Sequence, residues 1–375
     1  MKLALVADWL VTFGGAEHVL AELRTLYPDA PIFTTVRGRG NICALEGAPL
    51  HLSRLQKFYR CFPRHQLLLP WLPSAIEGLD VRGYDVLLSS SHVVGKGIVP
   101  PSTALHICYC HTPVRYAWEM EEQYLEDFRV PRWLRPLIRR RLRDLRRWDL
   151  TTAKRVDVFI ANSTTVQTRI KETYDRESVV IAPPVEERFF GAISGERGAD
   201  SKKYFLAVGR LVPYKRFDLL IEMANRLQLP LVIAGRGQDE ARLRRMAGPT
   251  VTFLGFVAES DLPLLYKNAG AFLFPQHEDA GVVLLEAQAS GTPAIAYRAG
   301  GAIDVIREGK TGIFFEQQTI ESLCEAMQRF ASHHWDRAAI QQHTRTFSQE
   351  RFRTQMAETV SLHYAAFRAG TLQRR

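Results

Sequence analysis

The chain has 375 residues, 46% hydrophobic and 24% charged; that composition excludes a disordered or fibrous chain, and single cores stop growing at roughly 250–300 residues, so two domains are expected. Basic residues number 49 and acidic residues 40, a net charge of +9, and no run approaches the ~18 uncharged apolar residues that span a bilayer. Five cysteines (Cys43, Cys61, Cys108, Cys110, Cys324) without a C-x-x-C pair argue against a disulfide framework or zinc knuckle and for a reducing cytosol.

The opening Met1–Asp8 meets an acid early and has no small-residue cleavage site, so it is expected to be a buried strand, Leu3–Trp9, rather than a signal peptide. Gly14 and Gly15 follow in a loop before a helix over His18–Leu26. Backbone N–H groups at such a helix start favour phosphate, although tight turns use glycine pairs as well. Ile32–Val36, Val86–Ser90, Ala104–Cys110 and Val156–Asn162 have the apolar character of further strands. Cys108 and Cys110 are expected on one face of theirs.

Between Arg129 and Arg147 nine arginines accompany one acid, Asp144. Trp133, Leu134, Leu137, Ile138, Leu142, Leu145 and Trp148 recur there at helical spacing. Two readings fit. Either Trp133 and Trp148 with Arg139, Arg140, Arg143 and Arg147 meet an anionic membrane, or the stripe docks on the core and the arginines are solvated. Nucleic acid is not expected, because no recognisable binding module accompanies the patch.

The alternation stops between Pro183 and Lys203 and then restarts. Strands are expected at Tyr204–Val208, Leu231–Ala234, Thr250–Leu254, Ala271–Pro275 and Pro293–Tyr297. Helices are expected at Asp218–Leu227, Asp261–Ala269, Leu284–Gly291, after Thr319 and over Ser348–Arg368. The fold class is therefore α/β: two Rossmann-like domains facing each other across a cleft, with C-terminal helices. The expected domains are 1–185 and 204–345, joined by a linker over 186–203, with 346–375 packing back on the first. Ligands of such sheets bind at the carboxyl ends of the strands.

Two of those strand-end loops carry chemistry. Arg210 and Lys215 bring two cations to one loop, where they either neutralise a diphosphate leaving group or stand as solvated surface charges. Glu278 lies in the other loop, Gly281, Val282 and Val283 open a helix, and Glu286 lies early on it. A carboxylate can hold neighbouring sugar hydroxyls, and acids near helix starts also serve as caps.

In order, the sequence resembles glycosyltransferase family 4, retaining sugar-nucleotide-dependent transferases of the GT-B fold. The resemblance runs from Lys2 to about Gly312. It rests on Gly14-Gly15-Ala16-Glu17, on His111-Thr112-Pro113 with Arg115, Tyr116 and Trp118, and on Gly209-Arg210-Leu211 with Tyr214-Lys215-Arg216. Gly235-Arg236-Gly237, Leu254-Gly255-Phe256-Val257 and Glu278 to Glu286 running on to Gly291-Thr292-Pro293 complete it. The His-Thr-Pro wording is most similar to bacterial O-antigen and exopolysaccharide mannosyltransferases that use GDP-mannose.

The resemblance implies that Arg210 and Lys215 grip the donor diphosphate and that Glu286 binds the ribose. It places Glu278 and His111 near the transferred sugar, gives Gly281, Val282 and Val283 backbone contacts to the donor, and has Gly14 and Gly15 close over phosphates and acceptor. Arg236 stands where many relatives have an acid, and Glu119 where near relatives have aspartate. No Asp-x-Asp occurs, the nearest imitation being Glu119-x-Glu121, so no metal and no cofactor are expected beyond the nucleotide sugar. The expected partners are that donor, a lipid-linked glycan acceptor and an anionic membrane surface, with the protein cytoplasmic and peripheral on the inner face of the membrane. The departing phosphate is expected to take the acceptor proton. Two alternatives stay open: a nucleotide-sugar epimerase on the same fold, and a peripheral membrane protein with a degenerate site. A dinucleotide dehydrogenase is excluded, because Glu240 stands where the third glycine of the fingerprint belongs.

Overall fold

A computed structural model of the protein describes residues 1–38, 40, 45–63, 68–118, 121–122, 131–191 and 204–372. It divides into two compact units, one of Met1–Ala182 with the chain from Arg353 onward, the other of Pro183–Phe352. The first is built on a seven-stranded sheet in which β1 (Leu3–Ala7), β2 (Ile32–Thr34), β3 (Leu50–Leu52), β4 (Val86–Ser91), β5 (Leu105–Cys110), β6 (Val158–Ala161) and β7 (Ser178–Val180) lie in the order β3-β2-β1-β4-β5-β6-β7. The second holds β8 (Phe205–Val208), β9 (Leu231–Ala234), β10 (Val251–Gly255), β11 (Ala271–Phe274), β12 (Ala294–Tyr297) and β13 (Gly312–Phe315) in the order β10-β9-β8-β11-β12-β13. Neighbouring strands pair in parallel throughout. Each sheet thus reverses its winding once, between β1 and β4 and between β8 and β11, and a crevice opens at such a switch point.

Apolar runs made the central strands: every residue of β1, β4, β5, β6 and β11 is buried, as a sheet covered on both faces requires. The helices α1 (Gly15–Leu26), α2 (Leu55–Cys61) and α3 (Leu72–Glu77) precede β4. In α4 (Arg115–Trp118), α5 (Arg135–Ala153) and α6 (Thr164–Tyr174) the chain returns to β6 and β7. In the second unit α7 (Phe217–Leu227), α8 (Glu240–Met246), α9 (Leu262–Asn268), α10 (Val282–Ala289), α11 (Ala302–Val305), α12 (Ile320–Ala331) and α13 (Arg337–Thr344) cover the sheet. Two clusters of buried side chains fill that unit. Of the segment expected as linker, Glu187–Phe190 forms a 3-10 turn whose Phe189 and Phe190 pack into the second unit's core, and 192–203 lie outside the described residues. The final helix α14 (Gln349–Arg368) reaches the first unit, where Arg353 Nε stands 3.5 Å from Glu22 of α1.

The second half of the arginine-rich helix docks its stripe on the core. The helix begins at Arg135; Arg129 lies outside the described residues. From Leu142 onward the stripe is buried through Leu142, Leu145 and Asp149. Trp148, expected at a membrane surface, is instead packed against Gly97 and donates from its indole to Glu77 Oε1 at 3.0 Å. Arg139 is held by Glu122 at 2.5 Å and Glu121 at 3.4 Å, so it too is only partly free. Trp133 and Leu137 remain 80% and 51% exposed beside exposed Arg140, Arg143 and Arg147. Cys108 and Cys110 share one buried cluster with Phe159 and Ala161, as neighbours on one strand face do.

Candidate active site

The second unit gathers its charged residues at the β8/β11 switch point. β8 ends at Val208, and Arg210 leaves it exposed to solvent. A 3-10 turn, Pro213–Lys215, then brings Lys215 back into the fold, 8% exposed. Its ammonium stands 2.6 Å from Glu278 Oε1 in the loop after β11. That loop is pinned from behind. Gly301 N donates to Glu278 O at 2.8 Å, and a Cβ on Gly300, whose φ is +61, would come within 2.0 Å of the same oxygen. Gly281 (φ +65) caps α10, and the first intrahelical bonds run from Leu284 and Leu285 to its carbonyl. The N–H groups of Val282 and Val283 precede those bonds and carry the helix's positive end. Glu286, on the next turn, accepts from Tyr266 Oη at 2.8 Å. Burial, with the Glu286 charge, pushes that phenol well above its ordinary range, so it stays a donor.

One quoted motif is structural here. Gly235 (φ +137) lies where a Cβ would meet Gly209 O at 1.9 Å, so Gly235-Arg236-Gly237 lets two strand-end loops touch. Arg236 between them is exposed.

In the first unit His111 follows β5. Its Nε2 is 2.8 Å from Ser90 Oγ, its carbonyl accepts from Asn162 Nδ2 at 3.0 Å, and its ring centroid is 6.3 Å from that of His92. Burial, reinforced by His92, lowers its pKa to about 3, so the ring is neutral at physiological pH. Gly14 caps α1 in an extended conformation, its N–H donating to Glu17 Oε2 at 3.1 Å, and Gly15 begins the helix. Glu119 lies outside the described residues.

Sequence reasoning missed Asp8, the residue after β1. It is buried at 2% exposure and accepts from Ser91 Oγ at 3.0 Å and from the amides of His92, Val94 and Gly95 at 2.7, 2.6 and 2.5 Å. His92 Nδ1 lies 2.7 Å from Asp8 Oδ2. Burial alone would raise the Asp8 carboxyl, but the His92 charge and these hydrogen bonds hold it well below the usual carboxylate range. The only trace in the sequence is an acid ending an apolar strand.

Residues 192–347 match the family model described as glycosyl transferases group 1. Mannosylfructose-phosphate synthase of Agrobacterium fabrum is 28% identical over 310 residues, covering 72% of this chain and 66% of its own. A GDP-mannose-dependent alpha-mannosyltransferase of Mycolicibacterium smegmatis is 36% identical over 115 residues, 30% of either chain. This chain thus spans just under two thirds of the first relative and less than a third of the second. HepE of Anabaena, solved with UDP, superimposes with a TM-score of 0.67 at 20% identity, covering 96% of this chain and all of its own, a likeness of fold. The two parallel sheets are those of GT-B glycosyltransferase structures, and residues 192–347 are the part of the chain that matches the group 1 glycosyl transferases.

Proposed function

We propose that the protein is a retaining glycosyltransferase that moves mannose from GDP-mannose to a lipid-linked oligosaccharide of a bacterial surface polysaccharide. The observation that carries this reading is the Lys215–Glu278 pair at the β8/β11 switch point, beside exposed Arg210 and the start of α10. A donor diphosphate arriving there takes Lys215 and Arg210 as counter-charges, and Glu278, released from Lys215, accepts from the sugar hydroxyls. The two cations then stabilise the charge that develops on the leaving phosphate. Metal independence belongs to the same proposal, since these cations do what a chelated ion would. The GDP-mannose-dependent relatives support the donor assignment. Glu286→Gln is expected to weaken GDP binding ~10–100-fold, the loss of one or two hydrogen bonds to a charged group. Glu278→Gln should leave GDP affinity nearly unchanged and slow transfer; equal losses of affinity in calorimetry would contradict the two roles.

An anionic membrane surface is the proposed location of the acceptor. No helix among the described residues is long and apolar enough to cross a membrane. Tyr59 of α2, Leu72 and Ile76 of α3 and Leu145 of α5 pack in one cluster with Ala4, Val6 and Leu87, so these helices cover one face of the first sheet. That layer leaves Phe58, Phe62 and Trp71 at 65%, 68% and 56% exposure, in addition to Trp133 and Leu137. Exposed aromatics among arginines suit an interface at about 1 kcal/mol per basic residue. Replacing Arg140, Arg143 and Arg147 with glutamine, together with Trp133→Ala, should release the protein from anionic vesicles. Binding of the unaltered protein should fall as salt rises. Cosedimentation of the variant at moderate salt would leave the arginines as a solvated face.

A further inference from the structure

We propose that a groove on the first unit, between α2, α3 and the β2–β3 edge of the sheet, takes the hydrocarbon chain of the acceptor's lipid carrier, with the cations of α2 on its phosphate. This site depends on the lipid-linked acceptor proposed above, and it is a pocket for one chain rather than a contact with the bilayer.

Shape is the first support. The groove has a volume of about 820 Å³, within the range of ligand pockets, roughly 300–1,000 Å³. Phe33 of β2 and Leu52 of β3 line it from the sheet, Leu55 and Phe58 from α2, and Ala75 from α3 together with Trp71, the residue before that helix. Phe33 is buried, but Phe58 and Trp71 present their rings to solvent, and clustered exposed apolar surface of this kind marks a binding site. An amphipathic segment that only lies on a bilayer presents a ridge of apolar side chains. Here two aromatic rings stand as walls against the sheet, which fits a single chain. Trp133 and Leu137 are exposed without lining this groove.

Charge is the second. From Gly47 to Ile76 the sequence holds four cations, Arg54, Lys57, Arg60 and Arg64, and no acid. Arg54 lines the groove just before α2, and Lys57 and Arg60 follow on that helix, all three exposed. Arg64 lies outside the described residues. The one carboxylate in the lining, Asp80, is engaged by its own neighbour: Arg82 Nε and Nη2 donate to its two oxygens at 2.8 and 2.6 Å. The groove therefore sets positive charge beside apolar walls, the complement of a chain that ends in phosphate.

That chemistry belongs to any membrane phospholipid as well as to the carrier. A phospholipid is held by its bilayer and needs no pocket to meet a protein surface. The carrier of a glycan acceptor is the lipid that the proposed enzyme must pick out one molecule at a time. Each methylene moved from water into such a groove strengthens binding roughly fourfold, so a short chain suffices to probe it.

The test uses farnesyl phosphate, a short-chain lipid phosphate, with the intact protein. Calorimetry should show saturable binding, accompanied by a change in tryptophan fluorescence that Trp71→Phe removes. Ser74→Phe puts a ring into the groove from an exposed position of α3. It should weaken binding ~10-fold, the loss of about two methylenes from contact, with the melting temperature kept. Arg54→Gln with Lys57→Gln should weaken it ~10–30-fold, and the affinity of the unaltered protein should fall as salt rises. If Ser74→Phe does not fold, this charge variant decides alone. With a lipid-linked glycan extract as acceptor, Ser74→Phe should raise KM ~10-fold, more than with a water-soluble glycan. Farnesol bound as tightly as its phosphate, or an affinity unchanged by both variants, overturns the site. So does binding to phosphatidylglycerol vesicles that Ser74→Phe weakens as much, since the groove then takes bulk lipid. In each case, transfer to the extract by the unaltered protein leaves the transferase reading standing. Farnesyl phosphate binding without any transfer to the extract overturns that reading, and the carrier as occupant with it.

Discussion

Lys215→Ala should reduce sugar transfer by ~10²–10³-fold, the usual cost of removing one positioned donor to developing charge. The side chain is folded back over its own strand end, 8% exposed, and its ammonium lies 2.6 Å from Glu278. Truncation therefore removes the counter-charge of the diphosphate and leaves Glu278 without its partner. The Glu278 side chain is 20% exposed, so water relieves part of that loss. A cost near ~1 kcal/mol corresponds to a drop of roughly 2–4 °C in melting temperature for a domain of this size. Arg210→Ala should likewise slow transfer and leave the melting temperature unchanged, because Arg210 is exposed. Near-wild-type turnover in either variant would remove that cation from the diphosphate site.

The largest effect on stability is expected at Lys96. Its ammonium, 2% exposed, ion-pairs with Asp149 Oδ1 and donates to Val93 O at 3.1 Å. Asp149 is fully buried on α5, and its Oδ2 accepts from Trp118 Nε1 and Tyr174 Oη, each at 2.8 Å. One carboxylate thus ties α4, α5 and α6 to the turn after β4. Burial disfavours the charged lysine, but Asp149 more than compensates and raises its pKa. A raised lysine keeps its contribution at every pH below its ordinary value, so the pair's share of stability is present throughout the neutral range. Lys96→Met strands a buried carboxylate and should cost about 3–5 kcal/mol, a fall of roughly 6–20 °C in melting temperature. Lys96→Met combined with Asp149→Leu should recover part of it, since removing both charges ends the penalty. A single variant that melts within 2 °C of wild type, to within about ~1 kcal/mol, would show that the pair holds nothing together.

The central strands were legible because runs such as Leu3–Ala7 and Val158–Ala161 are apolar enough to be buried from both sides. The outer strands were not. Leu50–Leu52 and Ser178–Val180 are three residues long and half exposed, so neither length nor pattern separates them from loop. In the second unit the candidate residues were legible, because Arg210, Lys215, Glu278 and Glu286 lie in two short stretches, of which the fold brings Lys215 and Glu278 into contact. Asp8 was not, because its partners begin 83 residues along the chain. An acid at the end of a strand looks like a solvated stop until the topology sets β1 beside β4. The arginine-rich helix divided for a related reason. Periodicity showed an apolar stripe, and only the fold shows that the stripe's second half, with Asp149 in it, is used up by the core.

The most direct measurement is the product formed when the purified protein, in EDTA, is given GDP-mannose with and without a lipid-linked glycan extract. The expected result is GDP release that depends on the extract, with the mannose recovered on glycan in the α configuration it had in the donor. Donor consumed equally without extract, an epimerised sugar, or a β-linked product would contradict a retaining transferase.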